Sequence, residues 1–303
     1  MIEQGNNASG AFFGGIYGEP GTGKTSAIAA FIYYMYERTG KPALYCDEED
    51  GSLAFPDALE KGVHYVKWTP TKLEGKKLVA SDAADDVYEI PQLMMSGKYG
   101  CLVHDTITSL AGRVMKSIVA KNLTGSARGT ARVHVATQAG KTISHPTLQD
   151  YGVAATVLEN YLNFLLPVKE AGMPILWVGH SKLITADDED GNTIDAVGTI
   201  ETVGKQMSRN APKLMAFLIQ LRKKKAGSEF KRWWDCVGDG TWTAKDRLGV
   251  WTRTNVAITK EEGMNEQQFQ EAVVEAYLPL WEVWIEKYEK RFGQLWPIKK
   301  GAK

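Results

Sequence analysis

Short uninterrupted apolar runs alternate along this chain with longer segments whose apolar positions recur every three or four residues. That is the pattern of strands buried on both faces and joined by amphipathic helices. Residues 11–17 form the first run, and residues 26–38, with Ala27, Ile28, Ala30, Phe31, Tyr34 and Met35 apolar, predict the helix that follows. A turn at Gly40-Lys41-Pro42 leads into a second strand at 43–46, and a third short strand is expected at 63–68. Residues 83–96 predict a helix containing Pro91, residues 99–105 a strand ending in Asp105, and residues 111–120 a further helix. Periodicity is lost over 121–150. It returns at 153–170, where Val157, Tyr161, Leu162 and Leu165 mark one side of a helix, and residues 175–180 make another apolar strand, ending in His180.

Beyond His180 the pattern changes to hairpins. Residues 182–200 fold back around Asp190-Gly191-Asn192, with Ile184 and Ile194 flanking the turn, and residues 214–222 and 229–237 pair through a turn at 225–228. A short strand follows at 244–249. The last element, 264–292, is a long helix whose Phe269, Val273, Tyr277, Leu280, Trp281, Trp284 and Tyr288 need a surface to cover, either on their own domain or on another copy. The order predicts an α/β fold with a mainly parallel sheet over 1–250, closed by C-terminal β-hairpins, and a helical extension over 251–303.

Between the first strand and its helix lies Gly18-Glu19-Pro20-Gly21-Thr22-Gly23-Lys24-Thr25-Ser26, which contains the pattern G-x-x-x-x-G-K-[ST]. Glycines and Pro20 let the backbone wrap so that consecutive N–H groups point at one phosphate, and the helix beginning near Gly23 adds the positive end of its dipole. Lys24 would reach the β- and γ-phosphates of ATP, and the Thr25 hydroxyl would bind Mg²⁺.

Three further strands end in polar groups. The second runs into Asp47-Glu48-Glu49-Asp50, where a carboxylate could orient and deprotonate water, though a solvated acidic turn reads the same way. Asp105 ends a buried strand, as does the carboxylate that supports Mg²⁺ in a second nucleotide-binding motif. The same Asp could also cap the next helix. Thr106, not Glu, follows it, so a catalytic base must come from elsewhere, and the cluster at 47–50 is the available source. His180 stands at the corresponding place on the fifth strand, as a γ-phosphate sensor or as a structural histidine.

Cations gather in three later stretches. Lys121, Arg128, Arg132 and Lys141 lie in the aperiodic segment, which reads as a nucleic-acid loop or a surface insertion. Arg222, Lys223, Lys224, Lys225, Lys231 and Arg232 lie beside Trp233 and Trp234, the charge and stacking that single-stranded DNA uses, or a hydrated hairpin with tryptophans in the core. Lys245 and Arg247 alternate on one strand and project from the same face, able to reach one phosphate, in trans if that edge meets a neighbouring subunit. The tip Asp187-Asp188-Glu189-Asp190 is acidic and would repel a phosphate backbone.

Over all 303 residues, 36 Lys and Arg balance 36 Asp and Glu, so any nucleic-acid binding must be local rather than driven by a global field. No apolar run is long enough to cross a bilayer and no leader is evident, so neither membrane nor secretion is expected. Cys46, Cys101 and Cys236 lack metal-site spacing and read as buried thiols of a reducing cytoplasm.

Assembled in this order, the residues resemble those of RecA-like ATPases, most closely the small phage-encoded RecA-type nucleotide-binding proteins of single-strand annealing recombination. The resemblance spans about 12–250. It rests on the phosphate loop, the acidic end of the second strand, Val103-His104-Asp105 without a following Glu, the strand ending in His180, Gly204-Lys205, and Ala244-Lys245-Asp246-Arg247. It implies ATP and Mg²⁺ at Lys24, Thr25 and Asp105, with Glu49 as catalytic carboxylate and Glu48 as the alternative. It also implies His180 as γ-phosphate sensor, and Lys245 with Arg247 as fingers on a neighbour's ATP. The implied protein is a homo-oligomeric ring or filament in the host cytoplasm, acting on single-stranded DNA with a single-strand-binding or recombination partner protein. Two other readings stand beside it: a nucleotide-dependent assembly switch that contacts protein, and a DNA motor.

Overall fold

The computed structural model describes residues 12–49, 62–66, 71–74, 77–80, 87–123, 134–138, 141–146, 148–187, 193–226, 229–256 and 263–292. Asp50, Asp188, Glu189, Asp190, and the side chains of Lys121, Arg128, Arg132 and Lys141, all named above, lie outside the described residues or side chains.

Fourteen strands are described: β1 (Phe13–Gly18), β2 (Ala43–Asp47), β3 (Val63–Val66), β4 (Thr71–Glu74), β5 (Lys77–Ala80), β6 (Cys101–Asp105), β7 (His134–Gln138), β8 (Lys141–His145), β9 (Ile175–Asp187), β10 (Thr193–Ile200), β11 (Phe217–Ala226), β12 (Glu229–Asp235), β13 (Lys245–Asp246) and β14 (Thr254–Val256). The helices are α1 (Lys24–Thr39), α2 (Glu89–Met95), α3 (Ile107–Leu123), α4 (Leu148–Glu170), α5 (Gly204–Leu214) and α6 (Glu266–Phe292). The main sheet runs β14-β12-β11-β1-β9-β6-β2-β3, with β10 added to β9 and β13 to β11. From β11 to β3 every neighbouring pair is parallel. The core is therefore RecA-like: β9 is inserted between the strand that leads into the phosphate loop and the strand that ends in Asp105, and hairpins and a helical tail close the C-terminal side.

Alternation along the strands divides the apolar side chains between two layers. Phe12, Ile16, Tyr45, Val103, Leu176 and Val178 face α1 and α6. Phe13, Tyr17, Leu44, Leu102, Ile175 and Trp177 face the other side, against α2, α3, α4 and α5.

The first layer is an aromatic wedge. Trp284 meets Phe12 and Phe217 edge-on at 5.0 and 4.7 Å between ring centroids, and Trp281 meets Trp234 at 5.2 Å. Space for it comes from β1, because a Cβ on Gly14 would fall 1.9 Å from the Phe217 ring. Two of the three buried indoles that form these contacts have partners: Trp281 Nε1 donates to the Ala27 carbonyl (2.8 Å) and Trp284 Nε1 to Asp246 Oδ1 (3.0 Å), whereas Trp234 Nε1 has none among the described residues. The helix starts sharply, since Asn265 and Gln268 exchange reciprocal side-chain to backbone hydrogen bonds at 2.9 and 3.0 Å, a capping box. Of the two surfaces open to the C-terminal helix, it covers its own domain.

Four expectations change. The helix around Pro91 is described only as Glu89–Met95, which puts the proline in the first turn, where its missing N–H costs nothing. The helix expected at 111–120 begins at Ile107, because the Thr106 hydroxyl accepts from the Ser109 N–H (3.1 Å). Thr106, not Asp105, is thus the cap. The segment 121–150 is not devoid of regular structure: α3 runs to Leu123, β7 pairs with β8, and α4 begins at Leu148. Val135, Thr137, Thr142 and Ile143 carry the strand preference of β-branched residues, which the search for helical spacing passes over. The strand ending at His180 continues to Asp187 by pairing with β10.

The cysteines are buried and free, as expected. Among the described residues no helix is long and apolar enough to cross a membrane.

Trp281 is fully buried and hydrogen-bonded to α1. Trp281→Ala should lower stability by about 3–5 kcal/mol, read as a reduced urea midpoint, and Trp281→Phe should cost less. An unchanged midpoint for both would separate α6 from the core.

Candidate functional site

The parallel register delivers the site. Gly18 at the end of β1 is level with His180, Asp105 with Val178, and Asp47 with Asp105. The loop, both acidic strand ends and the histidine therefore emerge at one carboxyl edge, where α/β sheets bind ligands.

In the loop, Gly21 and Gly23 take positive φ of 72° and 100°, which a side chain would strain. Gly18 has no room for a Cβ, which would lie 2.4 Å from the Leu221 carbonyl oxygen. The Thr22 hydroxyl donates to the Glu19 carbonyl at 2.8 Å and ties the loop to itself. Lys24, 8% exposed, folds back to donate to the carbonyls of Gly18 and Glu19 at 3.0 and 3.1 Å. Burial pulls its pKa down, against the nearby charges of Asp105, Glu49 and Glu19. Glu19 and Pro20 are exposed at the rim, and Ser26 is half-buried on the first turn of α1.

Thr25 and Asp105 are brought together as expected. The Thr25 hydroxyl donates to Asp105 Oδ2 (3.3 Å), and so does the hydroxyl of Tyr45 (2.7 Å), which the sequence reading missed. Burial raises the Asp105 pKa to about 6 despite the Tyr45 hydrogen bond. A hard divalent cation fits this pair, since Mg²⁺ takes few protein oxygens and keeps water and phosphate for the rest. Its charge would also hold the buried carboxylate ionised. Among the described residues there is no cluster of three or more His, Cys, Asp or Glu side chains placed to hold a metal.

The two neighbouring glutamates have different surroundings. Glu48 turns inward as a close ion pair with Arg113 of α3, 2.5 Å from Nε to Oε2, and burial pushes its pKa to about 7. Glu49 turns to the site edge, where its Oε1 accepts from Thr106 Oγ1 (2.6 Å), from Ser109 Oγ and from His180 Nε2 (2.9 Å). The hydrogen bond from His180, followed by those from Ser109 and Thr106, holds its pKa down to about 2. Glu49 and His180, read separately from two strand ends, are one unit. Thr106 and Ser109 escaped notice, and the T-x-x-S spacing straight after Asp105 was the available signal.

Lys245 and Arg247 are elsewhere. Leu218 pairs with Lys245 on one side and with Gly15 on the other, three residues short of Gly18, or about 10 Å back along the sheet. Asp246 points inward, accepting from the N–H groups of Val250 and Trp251 at 2.6 and 2.8 Å, which leaves its two neighbours facing outward. Lys245 lines a cleft of about 450 Å³ with Arg209 and Lys213, and Arg247 Nη2 donates to the Lys213 carbonyl (2.8 Å). Burial and the charge of Arg247 lower the Lys245 pKa to about 8.

The expected stacking platform on the β11/β12 hairpin is half absent. Trp234 is fully buried in the aromatic wedge and Trp233 is half-buried, because alternation turns one inward whenever the other turns out. Arg222 of the same hairpin is committed to Asp239 (2.6 Å) and to Asp235 (3.5 Å).

No protein-family model matches the chain, and no curated protein does. Among solved structures it is similar to a KaiC-like protein of the hyperthermophilic archaeon Pyrococcus horikoshii, with 15% identity and a TM-score of 0.43 over 75% of this chain and 78% of that one. It is also similar to the flagellar accessory protein FlaH of Methanocaldococcus jannaschii, with 10% identity and a TM-score of 0.45 over 83% and 86% of the two chains.

Glu49's depressed pKa carries a stability consequence with a definite sign. Its contribution is complete above the ordinary glutamate value near ~4.3 and is lost as pH falls toward about 2. Ser109→Ala should raise the Glu49 pKa and shrink that contribution, so the variant's deficit in stability should be present at pH 7 and fade toward pH 2. Carboxyl NMR titration with urea melts at both ends measures it.

Proposed function

We propose that this chain is a Mg²⁺-dependent ATPase whose active form is a homo-oligomeric ring or filament, with each site completed by Lys245 and Arg247 of a neighbour. One observation carries the reading: Lys245 lines a basic cleft about 10 Å back along the sheet from its own phosphate loop, and Arg247, exposed, lies farther back still, its N–H on the Ala216 carbonyl.

Lys24 leaves the carbonyls of Gly18 and Glu19 for the phosphates, and the loop N–H groups and the α1 dipole hold them. Thr25 and Asp105 would hold the metal, whose charge would neutralise the phosphate oxygens. Glu49 fixes the attacking water with the carboxylate oxygen that its three donors leave over. Held near pKa 2 it is a weak base, and its work is orientation, which suits a loose transition state in which the proton leaves late. His180 touches Glu49 directly and is placed to pass loss of the γ-phosphate to β9. A neighbour's Lys245 and Arg247 would add positive charge where negative charge develops, which makes hydrolysis depend on assembly.

The polymer on which such an assembly acts is single-stranded DNA in this reading, in phage recombination or replication, on the strength of the basic stretch at 121–150 and of the exposed Lys224, Lys225 and Lys231. A second reading has one observation in its favour. Burial of Trp234 removes half of the stacking platform, which suits a nucleotide-dependent assembly switch with protein partners.

Lys24→Ala and Lys245→Ala should each be inactive alone, and a mixture should regain part of the wild-type rate, because a mixed interface can pair an intact loop with an intact finger. No recovery, with both variants folded, overturns completion in trans. Glu49→Gln should lower hydrolysis by about 100-fold or more while ATP still binds, whereas Glu48→Gln should retain the chemistry. Stimulation by single-stranded DNA favours the first reading, and nucleotide-driven assembly indifferent to DNA favours the second.

A further inference from the structure

Strand β11 borders β1 on the side away from the carboxylates, and its continuation as the β11/β12 hairpin passes the outer side of the phosphate loop. Lys223 and Arg232 are cross-strand partners on that hairpin, so their long side chains stand together on one face. Both face the loop. Lys223 Nζ donates to the Gly21 carbonyl at 3.2 Å, and Arg232 Cδ lies 3.8 Å from where a Cβ on Gly23 would be.

The hairpin treats its cations unequally. Arg222 is neutralised by Asp235 and Asp239, and Asp235 also takes Arg253 at 2.7 Å. Among the described residues no carboxylate is paired with Arg232, and its Nε is buried without an acceptor. Beside it, from α6, stands the hydroxyl of Tyr277, fully buried and also without a partner, 2.8 Å from the same Cβ position on Gly23. Buried donors rarely lack an acceptor, and here two of them stand beside the N-terminus of one helix, the end that favours an anion.

We propose that Lys223 and Arg232 bind the phosphate chain of the nucleotide held by the loop of their own subunit, forming an outer cationic wall that Tyr277 closes from behind. This rests on the nucleotide-binding reading above and deepens it. The Gly21 carbonyl is the resting partner of Lys223, and a phosphate oxygen replaces it as the stronger acceptor. The basic hairpin thus serves nucleotide in cis, while Lys245 and Arg247 serve it in trans.

The test is equilibrium binding of ADP, ATP and tripolyphosphate to the full-length protein, at concentrations low enough to keep it unassembled. Wild type is compared with Lys223→Ala, Arg232→Gln, Arg232→Lys and Lys24→Ala, with single-stranded DNA binding measured alongside. Loss of one charged hydrogen bond predicts roughly tenfold weaker binding of all three ligands for Lys223→Ala and Arg232→Gln, with partial recovery in Arg232→Lys. Tripolyphosphate has no base or ribose, so a parallel loss places the contact at phosphate. Unchanged ligand-free melting temperatures keep the comparison free of unfolding. Wild-type nucleotide affinity in Lys223→Ala and Arg232→Gln beside lost affinity in Lys24→Ala overturns this inference alone, all the more if DNA binding is what they lose. A wild-type protein that binds none of the three ligands overturns the ATPase reading and this inference with it.

Discussion

The register of three parallel strands is the constraint on which the rest depends. Because Gly18 and Asp105 end strands on either side of β9 within two residues of the level of His180, these groups meet without long loops to aim them. A slip of one residue would turn every side chain of a strand to the opposite layer. Both layers are packed to exclude it, with Trp177 and Tyr17 on one side and Phe12 and Ile16 on the other. The precision of the site is therefore a property of the core. Burial at the same edge makes charge costly, since Asp105 and Glu48 both sit above the ordinary carboxylate range. Donors and cations placed around them offset that cost: Tyr45 and Thr25 for one, Arg113 for the other.

Much of this could be read in the sequence because it is written in local patterns. The phosphate loop is contiguous, β2 and β6 announce their carboxylates in their last residues, and His180 closes the apolar run of β9 although the strand goes on to Asp187. The choice between Glu48 and Glu49 was not legible, since both follow the same strand and only the position of α3 decides which meets Arg113 and which meets His180. Tyr45 looked like one more apolar strand residue. Nor could periodicity show which face of the β11/β12 hairpin meets the loop, since that depends on β11 lying beside β1. Residues 134–145 misled for a different reason: a hairpin of short β-branched strands among Ser, Thr and Gly has neither helical spacing nor a long apolar run.

The two faces of the sheet divide the work. On the α3 side the contacts are polar near the edge, where Thr106, Ser109 and Thr108 reach Glu49, His180 and the Glu201 carbonyl. On the α6 side they are aromatic almost to the loop itself, ending at Tyr277. The polar groups are oriented from one face, and the loop is braced from the other.

Asp246 draws these parts together. It sits between the two outward cations, receives backbone N–H groups from the turn that follows, and accepts the indole N–H of Trp284 on α6. The same helix, two turns earlier, presses Tyr277 against Gly23. The short strand that carries Lys245 and the wall behind the phosphate loop are thus bolted to a single lever, about 40 Å long for its 27 residues. Trp284 and Tyr277 are only about 10 Å apart along that helix, so a displacement of the strand carrying Lys245 has a short, rigid route to Gly23 within the same chain.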